Sequence, residues 1–207
     1  LYLNGEKITK GFLSPYISNT DDFIYADEYD VTLPAGENVI GVILGNGFQN
    51  NPGGFIWEFD KSPFRSAPMF ALTVESKGKM LTSSDDGFKI CQSPIRSDDY
   101  RFGENYDAGY EIDGWNKPGY DDFAWENALP ATPPKGEIRI ADIAPIVKTE
   151  EIAPVEIIKC DNGYIYDFGV CNAGVCRLRI AGEKGQKIEI QHADSLKDGD
   201  LDIAEIW

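Results

Sequence analysis

Short apolar runs separated by Gly, Asn and Asp turns recur along almost the whole chain. Residues 39–44 are apolar without a break, which predicts a strand buried on both faces. Residues 70–75 alternate and then meet Lys77-Gly78-Lys79, a hairpin signal. Lys89-Ile90-Cys91 follows Asp85-Asp86-Gly87, and residues 164–168 follow Asp161-Asn162-Gly163. Residues 175–180 alternate strictly, with Val175, Arg177 and Arg179 on one face and Cys176, Leu178 and Ile180 on the other. A turn at 181–185 leads to a further strand at 187–192. The chain opens Leu1-Tyr2-Leu3 and runs straight into Asn4-Gly5, a strand entering a tight turn. Only residues 121–125 resemble a helical turn, with Asp121 as the cap. Many short strands with such turns predict an all-β chain of β-sandwich type.

Proline concentrates at 128–136, which reads as an extended connector. The expected organisation is a first domain at 1–130, a linker at 131–136 and a second β-module at 137–207. About 70 residues are few for an independent sandwich, so the second module is expected to be truncated. The chain lacks an initiator Met and a leader pattern, and a piece of a longer polypeptide is expected.

Composition narrows the function classes. Of 207 residues, 42% are hydrophobic and 26% charged, the balance of a folded globular chain. Nineteen Lys and Arg against thirty-five Asp and Glu give a net charge of −16. That charge repels phosphate backbones and anionic lipid, so no nucleic-acid partner is expected. No apolar stretch of about 18 residues exists, so no membrane partner is expected. His192 is the one histidine, which leaves little for a His-based triad. Cys91, Cys160, Cys171 and Cys176 make no Cys-x-x-Cys spacing and are read as small buried apolar residues. Five positions apart in a strand, Cys171 and Cys176 would face opposite ways, while a disulfide involving Cys91 or Cys160 stays open.

Two polar segments carry candidate chemistry. Residues 45–55 are rich in Gly and Asn with Phe48 and Phe55 near the ends and Trp57 beyond. Carboxamides pair donor and acceptor to vicinal hydroxyls, aromatic faces stack on a pyranose, and glycines admit the backbone, so the loop suits a sugar. A plain turn would share this composition. The second segment, 103–108, holds Glu104, Tyr106 and Asp107 just after Asp98-Asp99. Oxygen-rich loops of this kind can bind calcium, and in so acidic a chain they are also ordinary solvated turns. Residues 198–202 carry alternate Asp but lack the full calcium-loop register and are read as a turn. There is no Gly-rich phosphate loop and no Gly-x-Ser-x-Gly elbow.

Several segments, in order, resemble the bacterial α-L-rhamnosidase family (glycoside hydrolase family 78). Leu1-Tyr2-Leu3-Asn4-Gly5 with Phe12-Leu13-Ser14-Pro15 is similar to its opening "ELYINGxxV…LxPG". Tyr25 with Tyr29-Asp30-Val31-Thr32-Leu33 resembles "YxTYDVT", and residues 36–48 resemble "GENVIGVxLGDGWY". Residues 103–108 resemble "GExYDAR", and residues 114–125 resemble "GWDTPGFDDSxW". Later, residues 166–179 resemble "xDFGQNxAGWVRLRV", and Gln191-His192-Ala193-Asp194 resembles "RHAE". Asn46 stands where the family often has Asp, Phe48 where it often has Trp, and Gly109 where it has Arg.

The resemblance implies a jelly-roll, galactose-binding-like β-sandwich followed by part of a second β-sandwich. It implies a parent that is an inverting hydrolase of terminal α-L-rhamnose, whose catalytic carboxylates lie in a later (α/α)6 barrel. This chain would then be a non-catalytic accessory region in a periplasmic or secreted bacterial enzyme. Its expected partners are a rhamnose-containing glycan and the catalytic barrel of the same polypeptide. Asn46, Phe48, Glu104, Tyr106 and Asp107 are the expected sugar contacts, with Glu104 and Asp107 as ligands for calcium. The alternatives are a purely structural or interaction sandwich without ligand, and a self-contained glycosidase.

Overall fold

The structure is a computed structural model that describes residues 1–53, 58–85, 87–100 and 102–203. Among the described residues the chain is all-β, with short strands and two 3-10 turns, Phe59–Lys61 and Ala108–Tyr110. It divides into two compact units, Leu1–Ile146 and Val147–Trp207. The first holds β1 (Tyr2–Leu3), β2 (Glu6–Lys7), β3 (Phe23–Ala26), β4 (Ile40–Gly41), β5 (Thr73–Ser76), β6 (Lys79–Ser83), β7 (Lys89–Ile90), β8 (Ile95–Asp99), β9 (Gly103–Tyr106), β10 (Glu126–Asn127) and β11 (Glu137–Ile140). The second holds β12 (Glu156–Cys160), β13 (Gly163–Asp167), β14 (Leu196–Lys197) and β15 (Asp200–Leu201).

Local turn chemistry sets the hairpins. Asn4-Gly5, Lys77-Gly78 and Asp198-Gly199 join β1–β2, β5–β6 and β14–β15, and both residues of each pair have positive φ. That is the type I′ geometry whose twist matches paired strands. Asp161-Asn162 closes β12–β13. Two pairings are long-range: β1 also pairs with β4, and β3 runs parallel to β11 with Phe23 opposite Glu137. The helical turn expected at 121–125 is a single turn, in which the Asp121 carboxylate accepts from Phe123 N–H at 3.0 Å.

Three expectations need correcting. Residues 39–44 do not form a strand buried on both faces. Only Ile40–Gly41 joins a ladder, and Ile43 and Leu44 are 41% and 43% exposed. Gly41 is buried because Trp115 lies over it; a Cβ there would stand 2.6 Å from Trp115 Cζ3. Residues 175–180 and 187–192 lie in no ladder, although Gln186 N–H donates to Glu183 O and closes the turn between them. Strict alternation assigns side chains to faces but names no partner strand. The cysteines are not buried: Cys91, Cys171 and Cys176 are exposed, Cys160 is half-buried, and all four thiols are free. Two of them lie in the unladdered stretch, where polar neighbours meet them. Cys171 Sγ is 3.7 Å from Asp194 Oδ1 and Cys176 Sγ is 4.0 Å from His192 Nδ1.

Aromatic contacts knit the first unit. Tyr2 meets Trp115 at 5.6 Å, Trp115 stacks on Trp125 at 6.5 Å, and Tyr120 packs edge-on against Trp125 at 5.7 Å. Among the described residues, Ile165 of β13 is the buried hydrophobic side chain, at 8% exposure.

Candidate functional site

The chain leaves β4 and turns back within residues 45–50. Asn50 N–H donates to Asn46 O at 3.0 Å, and Asn50 Nδ2 donates to Asn46 Oδ1 at 2.6 Å. This small turn is tied across the fold to β8. Asp98 Oδ2 accepts from Asn46 N–H at 2.8 Å, and Asp98 O accepts from Asn46 Nδ2 at 3.1 Å. Gly45 lets the carboxylate in, since a Cβ on it would lie 3.2 Å from Asp98 Oδ2. Phe48, at the crest of the turn, meets the half-exposed Tyr100 ring at 4.4 Å and the Phe59 edge at 5.6 Å.

The β8–β9 hairpin brings in the second polar segment. Asp98 is the cross-strand partner of Glu104, so the two carboxylates share one face. Tyr106, two positions on, returns to that face. Its hydroxyl donates to Glu111, and chiefly that bond, then burial and the Glu111 and Glu104 charges, push the phenol up to about 12. Asp107 stands apart. It leaves the strand on the other side, and its Oδ1 accepts from Gly109 N–H at 2.8 Å to cap the 3-10 turn.

Of the expected contacts, the structure ties Asn46 to β8, carries Phe48 against Tyr100 and puts Glu104 across from Asp98, while Tyr106 bonds to Glu111 and Asp107 turns to the other side. Gly54, Phe55 and Trp57 of the expected loop lie outside the described residues. Asp98 and Tyr100 are participants that sequence reasoning missed. The hint was there, as an acidic pair just before the second segment, but nothing in the chain says that it reaches a loop 52 positions away.

The two residues expected to hold calcium point to different sides of the strand. Three positions apart in extended chain, Glu104 and Asp107 lie roughly 10 Å from each other on opposite faces. Calcium takes six to eight oxygens arranged all around it. Among the described residues, no group of three or more His, Cys, Asp or Glu could hold an ion.

In the second unit a cavity of about 320 Å³ opens between the Asp161-Asn162 and Asp198-Gly199 turns, lined also by Lys159 and Asp200. Residues 198–202, read as a turn, do form the β14–β15 hairpin.

The all-β frame of short hairpins is of the β-sandwich class. The chain belongs to the alpha-L-rhamnosidase N-terminal domain family, whose profile matches residues 1–150. Residues 159–206 match the bacterial alpha-L-rhamnosidase concanavalin-like domain. The chain is 33% identical over 216 residues to an alpha-L-rhamnosidase of Formosa agariphila, covering 98% of this chain and 22% of that protein. It is 29% identical over 208 residues to one from an Alteromonas species, covering 97% and 23%. The solved alpha-L-rhamnosidase from Dictyoglumus thermophilum shares its fold with a TM-score of 0.64 and 29% identity, over 81% of this chain and 19% of that one. The all-β architecture is in keeping with the β-sandwich expected from the sequence. The chain spans about a fifth of the length of the curated relatives it matches.

Proposed function

We propose that this chain is a non-catalytic accessory region of an enzyme that removes terminal α-L-rhamnose, and that its first unit binds a rhamnose-containing glycan. The observation that carries the reading is the junction of the Asn46 turn with β8, where Asp98 holds the turn, Phe48 packs on Tyr100, and Glu104 lies across the hairpin from Asp98. Rings take the apolar side of a sugar and carboxylates accept from its hydroxyls. The chain's match to the N-terminal and concanavalin-like domains, over about a fifth of its relatives' length, supports the accessory role. The catalytic barrel of the same polypeptide is the second partner in this reading.

A structural role is the competing reading, and one observation favours it: both ends of the Asn46 carboxamide are already bonded within the protein. Titration of the chain with L-rhamnose by calorimetry separates the two. Millimolar binding is expected, with glucose much weaker and with calcium changing affinity less than about two-fold, because Glu104 and Asp107 do not converge. No heat at tens of millimolar rhamnose would leave only the structural role. An aryl rhamnoside is expected to survive incubation with the chain.

A further inference from the structure

Asn46 is held by a residue that its loop does not contain. Asp98 grips it twice, by carboxylate at the backbone N–H (2.8 Å) and by backbone carbonyl at the side-chain amide (3.1 Å). One bond fixes the peptide plane entering residue 46 and the other fixes its side chain. With both set, the turn closed by Asn50 has one orientation, and Phe48 is carried against Tyr100. Tyr100 lies two positions beyond Asp98, so one short segment supplies both the clamp and the second ring. Asp98 is half-buried, where a charge-assisted acceptor is about twice as strong as a neutral one. Its cross-strand neighbour Glu104 repels it, and the donated N–H offsets that repulsion.

From this we propose that Asp98 is the positioning residue of the sugar surface: it holds the Asn46 turn so that the Phe48 and Tyr100 rings present one fixed platform. The proposal rests on the sugar-binding reading. The Asn46 carboxamide, bonded at both ends, orients the turn, and the sugar meets the rings and the free carboxylate edge.

Asp98→Ala and Asp98→Asn test it in the full chain, by amide exchange at Asn46 and by L-rhamnose calorimetry. In Asp98→Ala the Asn46 amide is expected to exchange about ten-fold faster or more, and rhamnose affinity to fall by a similar factor. Exchange in the β12–β13 hairpin should not change. Asp98→Asn keeps an acceptor and is expected to recover most of both, which a general loss of folding would not do. Unchanged exchange at Asn46 in Asp98→Ala overturns the clamp. Faster exchange with wild-type affinity overturns its link to the sugar. Wild-type chain that takes up no rhamnose overturns the binding reading itself, while the exchange measurement still judges the clamp.

Discussion

Tyr106 shows how a single contact sets the chemistry of a residue. Its hydroxyl points to Glu111, and the phenol sits at about 12 where an isolated tyrosine titrates near 10. The neutral form is the one favoured in the folded chain. Its contribution to stability is therefore complete below about pH 10 and is lost as pH rises through about 12. Glu111→Gln removes both the charged acceptor and its field, and the Tyr106 midpoint is expected to fall toward 10, followed by the carbon-13 shift of its Cζ. At this scale the sequence is informative about residue type. Asn46, Phe48, Glu104 and Tyr106 are marked out by residue type together with the family resemblance, since a plain turn can share the same composition. Asp98 does not stand out, because its significance is a partner 52 positions away.

Among the elements, those made by neighbours in the chain were legible. Asn4-Gly5, Lys77-Gly78 and Asp161-Asn162 announce their hairpins, since a two-residue loop selects its own residues. Elements made by distant partners were not. The run at 39–44 has the propensity of a buried strand, yet its ladder extends only as far as β1 does, through Ile40–Gly41. The parallel β3–β11 pair joins Phe23 to Glu137 with no local mark at either end. Gly41 itself is dictated by packing. In Gly41→Ala the new methyl would collide with Trp115 and with Asn116 Cβ, 3.0 Å away. Overpacking of this sort costs about 1–3 kcal/mol. Thermal unfolding is expected to show a Tm lower by about 2–10 °C.

At the level of the whole molecule, the two family matches, 1–150 and 159–206, fall on the two units in turn. The units differ in how far their backbone is paired. Between β13 and β14 the second unit has some thirty residues without a ladder, and Val175, Leu178, Ile180 and Ile190 on that stretch are exposed. Exposed, unpaired backbone is where proteases cut first. Brief trypsin treatment is expected to cleave at Arg177, Arg179, Lys184 or Lys187 before any site in the first unit, with mass spectrometry of the early fragments as the check. The acidic charge was legible at once, and among the described residues no helix is long and apolar enough to cross a membrane. The two-unit division was less so, because prolines at 128–136 mark extended chain and cannot show that the strand after them returns to β3.

That returning strand has a practical side. Among the described residues β3 has β11 as its sheet neighbour. Trimming the polypeptide anywhere ahead of Glu137 would strip residues 23–26 of their companion and bare a row of amides and carbonyls along one margin. Such a margin recruits whatever extended peptide drifts by, a second molecule included. Anyone wishing to study the leading portion by itself should carry the chain past Ile140, or expect clumping in place of a well-behaved sample.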